Sequence, residues 1–209
     1  MARNPTEQEE FWKGEFGASY IDRNQGDGWI AANTAFFAPI LQRTGPLDGV
    51  LEIGANIGLN LKALAHLQPG IALSGLEINQ QAARELEAWG GCEVLTMAAQ
   101  DFSAEASFDL VFTKGVMIHL DPASLAEIYQ SMVDASRRFI LVAEYYNPAP
   151  VTITYRGHDN RLFKRDFAGE MLDTFPELQL VDYGFSYHRD PVFPQDDITW
   201  FLLEKTTGR

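Results

Sequence analysis

The chain has little sulfur chemistry and few basic residues. Cys92 is the only cysteine among 209 residues, so we expect neither a disulfide framework nor a cysteine metal cluster. The four histidines are scattered without the spacing of metal ligands, and no metal site is predicted. There are 16 Lys and Arg against 29 Asp and Glu, which gives a net charge of −13. That charge argues against a nucleic-acid backbone or an anionic membrane as the main partner.

Long apolar runs and targeting signals are also missing. No run is long enough to span a bilayer, and the polar, acidic segment Met1 to Glu10 does not look like a signal peptide. Together with the single cysteine, these features predict a cytoplasmic protein. A length of 209 residues and a hydrophobic content of 46% suit one α/β domain with a sizeable core.

The most informative stretch is VLEIGANIGLN, from Val50 to Asn60. Its apolar start predicts a buried strand, which is followed by a glycine-containing turn and by the helical periodicity of Leu61 to Leu67. A strand, a turn and a helix N-terminus in this order bring backbone N–H groups against a polar ligand. The next predicted strand, Ile71 to Glu77, ends in a carboxylate that can accept both hydroxyls of a ribose.

The turn separates two nucleotide-type cofactors. A dinucleotide site typically has G-x-G-x-x-G, but Asn56 occupies the position of the middle glycine, which disfavours a dehydrogenase. The Gly-Lys-Ser/Thr of a P-loop is absent as well. Glu52, Gly54 and Gly58 form E-x-G-x-x-x-G instead, and with the distal Glu77 this pattern resembles the class I S-adenosylmethionine-dependent methyltransferases. S-adenosyl-L-methionine is therefore the expected cofactor.

Strands and helices alternate through the middle of the chain, which predicts a parallel sheet with right-handed crossovers. The methyltransferase resemblance implies a single Rossmann-like α/β domain, with a seven-stranded, mostly parallel sheet whose last strand is antiparallel. The segment Pro148 to Lys164 shows no clear periodicity. We expect an N-terminal helical lid at 1–45, a cofactor-binding core at 46–146, an acceptor-site insertion after strand five at 147–176 and a C-terminal hairpin at 177–209.

Ligands of open parallel sheets bind beyond the carboxyl ends of the strands. The predicted cofactor contacts lie there and in the lid: Tyr20, Arg23, Glu52, Gly54, Asn56, Gly58, Glu77, Ile78, Gln100, Asp101 and Lys114. The resemblance places adenine after strand three, where Asp101 is the expected partner of the adenine amino group; a turn cap is the alternative role. Lys114 is expected near the methionine moiety, and Tyr20 and Arg23 are candidates for its carboxylate.

Further motifs resemble the methylases associated with pseudaminic acid biosynthesis. They include Phe11-Trp12, Phe16-Gly17 and Tyr20 near the start, the segment FTKGVMIH after strand four, and the block from Tyr155 to Glu170. This resemblance covers nearly the whole chain. It implies transfer of a methyl group to a nonulosonic sugar acid or to its activated precursor.

A basic and aromatic block supports a small anionic acceptor in this acidic chain. Arginine presents a planar fork that suits a carboxylate or a phosphate. The expected acceptor contacts are Tyr145, Tyr146, Tyr155, Arg156, Arg161 and Lys164. The alternatives are a solvated basic loop, ion pairs with the abundant acids, or simple anchoring of the insertion to the core.

A hydroxyl or amine acceptor must lose a proton during methyl transfer, so one general base is useful. His119 is the first candidate because it closely follows strand four, near the expected methyl group; His158 and Glu144 are the second candidates. A packing or capping role for His119 is the alternative.

Two other interpretations stay open at this point. The chain could be a non-catalytic S-adenosylmethionine-binding subunit that regulates or scaffolds a glycan pathway, or a methyltransferase for another small carboxylate metabolite. The sequence sets neither the acceptor atom nor the oligomeric state.

Overall fold

A computed structural model of the protein describes residues 3–21 and 26–206. The helices are α1 (Glu7–Lys13), α2 (Glu15–Ile21), α3 (Asp27–Thr44), α4 (Leu59–Leu67), α5 (Gln80–Trp89), α6 (Leu125–Ala135) and α7 (Phe167–Thr174). The strands are β1 (Gly49–Ile53), β2 (Ala72–Glu77), β3 (Glu93–Thr96), β4 (Phe108–Lys114), β5 (Ser136–Glu144), β6 (Val151–Tyr155), β7 (His158–Lys164), β8 (Leu178–Ser186) and β9 (Ile198–Lys205). No helix in the described ranges is long and apolar enough to cross a membrane.

Seven strands form one sheet in the order β3-β2-β1-β4-β5-β9-β8. The pairs from β3 to β5 are parallel, whereas β9 is antiparallel to both β5 and β8. This architecture confirms the predicted fold class, including the antiparallel last strand. The predicted final hairpin is also present as β8 and β9.

Both faces of the sheet are covered, as an α/β sheet requires. Alternate residues of β1 point to opposite sides: Leu51 and Ile53 pack with α6 and α7, and Val50 packs with α3 and α4. All five residues of β1 are buried. The central strand therefore has an almost continuously apolar sequence, and the carboxyl ends of β1, β2, β4 and β5 meet at one edge.

The N-terminal segment divides into two parts with different roles. Helices α1 and α2 lie over the carboxyl edge of the sheet, while α3 buries Phe36 and Phe37 in the core beside α4. The side-chain amide of Asn79 holds the short helices down by donating to the Trp12 carbonyl at 3.1 Å. Within the segment 1–45 that was predicted to be a lid, α1 and α2 are the part that lies over this edge, and we use the name lid for these two helices.

The insertion after β5 contains a β-hairpin that the sequence analysis did not predict. Strands β6 and β7 pair antiparallel, with Arg156 (φ 51°) and Gly157 (φ 83°) as the two-residue turn. Positive φ at both turn residues is typical of a type I′ turn, whose usual first residue is Asn, Asp or Gly. Because the first turn residue here is arginine, the sequence does not indicate a type I′ turn. Residues 151–154 are exposed, so burial imposes no alternation on β6 either.

At Gly58, both the backbone conformation and the packing of the core favour glycine. Its φ is 79°, and a Cβ there would lie 2.4 Å from Cδ1 of the fully buried Leu86. Gly70 has a similar φ of 89° but faces open space. Gly70→Ala should lower the free energy of unfolding by about 1–2 kcal/mol through backbone strain alone. Gly58→Ala should lose roughly 1–3 kcal/mol more because it also overpacks the core.

Urea unfolding at constant pH measures both variants, with the slope m as the check that the transition stays two-state. Equal losses for the two alanine variants would contradict a packing role for Gly58.

Candidate functional site

A cavity of about 440 Å³ opens at the carboxyl edge of the sheet, under the lid. Its floor is the turn from Ile53 to Ile57, and its sides come from the ends of β2 and β4. Trp12 and Tyr20 form part of the roof. Of the predicted cofactor residues, those that line this cavity are Tyr20, Gly54, Asn56, Glu77, Ile78, Gln100 and Lys114. Arg23 lies outside the described residues.

A backbone hydrogen bond and a close packing contact determine the conformation of the turn after β1. Gly54 has a φ of 78°, and its N–H donates to the Leu76 carbonyl at 2.8 Å. A Cβ at this position would lie 2.5 Å from the side chain of Val116, which follows β4. Gly54 is therefore required both for the backbone conformation and for contact between two neighbouring turns. Gly58 does not line the cavity; it begins α4 and packs on Leu86.

Glu77 lies at the end of β2 with its carboxylate in the cavity wall. Its Oε2 accepts the Asn56 N–H and its Oε1 accepts the Asn79 N–H, each at 2.7 Å. Burial raises the pKa of Glu77, and these backbone hydrogen bonds oppose the rise. Each oxygen keeps acceptor capacity, so the group can receive hydroxyls from a ligand without giving up its structural bonds.

Glu52 and Lys114 are buried ionisable side chains that do not form an ion pair with each other. Glu52 stands behind the cavity and accepts the Asn60 amide at 2.6 Å, while the Lys114 ammonium is 3.3 Å from Asn33 Oδ1. No carboxylate of the described residues lies within 4.0 Å of that ammonium. Burial raises the pKa of Glu52 to about 8, and burial lowers the pKa of Lys114.

Two acceptor atoms beside this pair have no hydrogen-bond partner in the described part of the chain. They are Glu52 Oε2 and Asn60 Oδ1, and both are buried. Buried polar atoms in proteins are nearly always satisfied, so unsatisfied acceptors near an unpaired ammonium mark a place for a ligand. Two acceptors on one side and a cation on the other can hold an amino-acid zwitterion: its ammonium at Asn60 and Glu52, its carboxylate at Lys114.

The end of β3 corrects the expectation for Asp101. The Asp101 carboxylate points away from the cavity, is 53% exposed and forms an ion pair with Arg3 at 2.9 Å. The neighbouring Gln100 lines the cavity instead, and both polar atoms of its amide are buried without a partner among residues 3–21 and 26–206. A primary amide offers one donor and one acceptor, the pair that an adenine edge requires.

His119 lies on the cavity wall in a single turn that follows β4, Met117–His119. Its Nδ1 is 2.6 Å from the Arg161 carbonyl. A carbonyl oxygen only accepts, so Nδ1 carries the proton and Nε2 keeps a lone pair. Burial lowers the pKa of His119 to about 4, which keeps the ring neutral near pH 7. A neutral ring with a free Nε2 is a suitable proton acceptor.

Glu144 and His158, the second candidates for the general base, do not line the cavity. The Glu144 carboxylate accepts the backbone N–H groups of Val116 and Met117, both at 3.1 Å, and does not line the cavity. Burial raises the pKa of Glu144 to about 7. His158 is exposed on the hairpin, with its ring centroid 5.0 Å from that of Phe11. Glu144 therefore positions the turn that carries His119, and His158 packs against the lid.

The basic block does not converge on the cavity. Of the residues expected to contact the acceptor, Tyr145, Tyr155 and Arg156 line the cavity. Tyr146 is 42% exposed and packs on Phe201 outside it. Two further members were predicted to contact the acceptor but lie outside the lining: Arg161, which pairs with Glu7, and Lys164, whose ammonium lies over the Tyr145 ring. The alternative of anchoring and ion pairing holds for this part of the block.

Several lining residues were not identified as site residues from the sequence: Asn33, Asn60 and Asp196. Asn60 had a usable signal, since it falls in the first turn of the helix after the glycine turn, on the side of Glu52. Asn33 and Asp196 come from α3 and from the loop before β9, and only the tertiary fold brings them to the edge. The indole N–H of Trp12 is a further buried donor without a partner in the described ranges.

No protein-family model matches the chain, and comparison with curated proteins gives no significant sequence match. Solved structures do share its fold. The 1,6-didemethyltoxoflavin-N1-methyltransferase of Burkholderia thailandensis, with S-adenosylhomocysteine bound, has a TM-score of 0.70 at 15% identity over 99% of this chain and 94% of its own. The magnesium protoporphyrin IX methyltransferase of Synechocystis PCC 6803 has a TM-score of 0.71 at 13% identity, with 95% and 97% covered. A glycopeptide N-methyltransferase with S-adenosylmethionine has a TM-score of 0.63 at 15% identity, with 84% and 94% covered. The fold is that of these Rossmann-like methyltransferases.

The buried acids under the cavity predict a pH dependence of stability without ligand. Glu52 and Glu144 have pKa values raised to about 8 and about 7 by burial. A raised carboxyl pKa contributes stability that is present at low pH and is lost as pH rises through the folded-state value. His119, with its lowered pKa, acts in the opposite direction only below its ordinary value of 6.5. From pH 6.5 to pH 8 the free energy of unfolding should therefore fall, by roughly 1–2 kcal/mol.

Urea unfolding at these pH values tests the assignment. Glu52→Gln should remove most of the decrease, whereas Glu87→Gln, which removes an exposed carboxyl of α5, should keep it. A decrease of the same size in Glu52→Gln would refute the assignment to Glu52.

Proposed function

We propose that the protein transfers a methyl group from S-adenosyl-L-methionine to a small polar acceptor. The observation that carries this proposal is the set of unsatisfied polar atoms around one cavity of the described chain, at the carboxyl edge of the sheet. Two of the three solved neighbours contain bound S-adenosylhomocysteine and the third contains S-adenosylmethionine.

The residues fit that cofactor in three parts. Glu77 can accept the two ribose hydroxyls, and the Gln100 amide can pair with the adenine edge. The amino-acid end can lie between Lys114 and the Asn60–Glu52 acceptors. When bound, S-adenosylmethionine supplies the methyl group as an electrophilic carbon on a sulfonium. The protein then has to align the acceptor atom with that carbon and exclude water.

The acceptor half of the cavity has aromatic walls and one arginine. The Tyr155 ring lies 4.8 Å from that of His119, Tyr145 lines the same cavity, and the Arg156 guanidinium is 5.6 Å from the Tyr155 ring centroid. His119 Nε2 can take the proton of an acceptor hydroxyl or amine. The pKa of about 4 leaves Nε2 unprotonated near pH 7 but makes it a weak base, so His119 takes the proton only as the methyl group is transferred.

The family resemblance makes a nonulosonic, pseudaminic-type sugar acid the first candidate acceptor, with Arg156 on its carboxylate. Arg161 and Lys164 do not line the cavity, which weakens this candidate. Of the three basic residues that were expected to contact the acceptor, only Arg156 remains. The aromatic walls favour a second candidate, a planar aromatic carboxylate. One of the fold neighbours is described with bound 1,6-didemethyltoxoflavin, a ring compound.

A single experiment separates these acceptors from a non-catalytic role. The chain is incubated with methyl-labelled S-adenosylmethionine and two panels, activated nonulosonic acids and hydroxylated aromatic carboxylates, and products are detected by mass spectrometry. Label in neither panel, together with tight cofactor binding, would support the regulatory or scaffold alternative. Absence of cofactor binding would refute the proposal as a whole.

Cofactor binding predicts a contrast between two adjacent residues. Gln100→Ala should weaken binding of S-adenosylhomocysteine by about 1–2 kcal/mol, because it removes the amide from the cavity. Asp101→Ala should leave affinity within about twofold, since that carboxylate pairs with the exposed Arg3. Calorimetry on both variants decides the matter, and a larger effect from Asp101→Ala would restore the original assignment of the adenine partner.

If Glu77 binds the ribose, its removal should reduce cofactor affinity more than the removal of Gln100. Glu77→Ala should weaken cofactor affinity by roughly 1.5–3 kcal/mol, since it removes a buried acceptor for two hydroxyls. NAD should not bind, because Asn56 stands where a dinucleotide turn needs glycine. Glu77→Gln serves as the near-isosteric comparison that keeps the side-chain volume. Unchanged affinity in Glu77→Ala would reject the ribose assignment.

Acceptor turnover predicts separable effects of two lining residues. Arg156→Ala should raise the acceptor KM by about 10- to 100-fold with little change in cofactor affinity. His119→Gln should lower kcat by about 10²–10⁴ if the ring is the base. Lys164→Ala is the matched control, because it removes a cation of the same hairpin that lies outside the cavity. Full activity in His119→Gln would leave catalysis to alignment alone.

A further inference from the structure

The lid is fastened to the insertion hairpin by polar contacts between α1 and β7. Glu7 Oε1 accepts Arg161 Nη2 at 2.6 Å, and the Gln8 amide donates to the Asn160 carbonyl at 3.2 Å. The Arg161 guanidinium also lies 4.9 Å from the Phe11 ring centroid. The Arg161 side chain is 11% exposed, whereas that of Glu7 is 70% exposed, so only the arginine half of this ion pair is shielded from solvent.

Arg161 contacts His119 through its backbone. Its carbonyl oxygen receives the Nδ1 proton of His119 at 2.6 Å. One residue therefore holds the lid through its side chain and fixes the tautomer of His119 through its main chain. Such an arrangement couples the position of α1 to the imidazole, because both contacts need β7 in one place.

The lid contributes directly to the surroundings of the imidazole. The His119 ring lies between Trp12 of α1 and Tyr155 of β6, with centroids 4.7 and 4.8 Å away. If α1 lifts, Trp12 leaves and water reaches the ring. The lid thus supplies part of the burial that keeps His119 neutral. Titratable and charged groups on the elements around this ring include Glu7, Glu9, Glu10 and Lys13 of α1, Glu15 and Tyr20 of α2, Glu144 of β5, Tyr155 of β6, Arg156 of the turn, and His158, Asp159, Arg161 and Lys164 of β7.

We propose that Glu7 and Arg161 are positioning residues: their ion pair latches the lid onto the insertion hairpin and so holds Trp12 against His119. The latch closes the cavity over the cofactor and orients the imidazole toward the acceptor side. This inference rests on the proposed methyltransferase function. It replaces the earlier expectation that Arg161 grips the acceptor carboxylate, because that guanidinium faces Glu7 and lies outside the cavity lining.

The test uses the full chain with S-adenosylhomocysteine as the probe and needs no acceptor. Glu7→Gln removes the charge of the latch, and Glu10→Gln removes a charge from an exposed position of the same helix. Glu7→Gln should speed dissociation of S-adenosylhomocysteine by about 3- to 10-fold, because the lid loses its charged contact with β7. Glu10→Gln should leave the dissociation rate unchanged.

A second readout reports on His119 itself. NMR titration of the imidazole, assigned with His119→Gln, should show its pKa moving upward from about 4 toward the ordinary 6.5 in Glu7→Gln. The direction follows because an opened lid hydrates the ring and eases its protonation. A purely structural surface pair would not move this value.

The charge-swapped double variant Glu7→Arg, Arg161→Glu tests whether the two side chains act through direct contact. Restoration of both the dissociation rate and the His119 pKa would support a direct latch. The proposal is overturned if Glu7→Gln behaves like Glu10→Gln, or if the folded swap variant stays as impaired as Glu7→Gln. These readouts depend on cofactor and imidazole alone, so they separate failure of the latch from failure to find a methyl acceptor.

Discussion

Two buried carboxylates hold the edge of the sheet on which everything else is built. Glu77 at the end of β2 accepts an N–H from the turn after β1, its neighbour in the sheet. Glu144 at the end of β5 accepts N–H groups from the turn after β4, again its neighbour. In each case an acid on one strand fixes the loop of the strand beside it. Burying these acids costs solvation, and several backbone hydrogen bonds offset that cost.

The same edge also contains buried polar atoms that the described residues leave without a hydrogen bond. Glu144 has its bonds, but Glu52 Oε2, Asn60 Oδ1 and the Gln100 amide have none. Each buried polar atom without a partner costs about 1–3 kcal/mol. The cost is offset when a ligand supplies the missing donors and acceptors. The same polar atoms thus lower the stability of the protein without ligand and would raise its affinity for a ligand that pairs with them.

The sequence indicated this edge well because local chemistry defines it. The turn at Gly54 and the acid Glu77 are each imposed by residues within one βα unit, and the alternation of strands and helices fixes their common edge. Where the determinants are distant in sequence, the predictions were less accurate. Asp101 turned outward because Arg3, far away in the chain, pairs with it, and that leaves Gln100 to face the cavity.

The insertion shows why charge density in a sequence does not locate a binding site. Arg161 and Arg165 lie close together in the chain, yet they pair with Glu7 of the lid and Glu170 of α7 respectively. An acidic chain offers many partners, and these two arginines pair with carboxylates on different helices. Arg156 escapes this pairing because it stands in the hairpin turn, above the cavity. The proposed acceptor site therefore depends on two elements beside the cavity, the α1–α2 segment and the β6–β7 hairpin, and on the contacts between them.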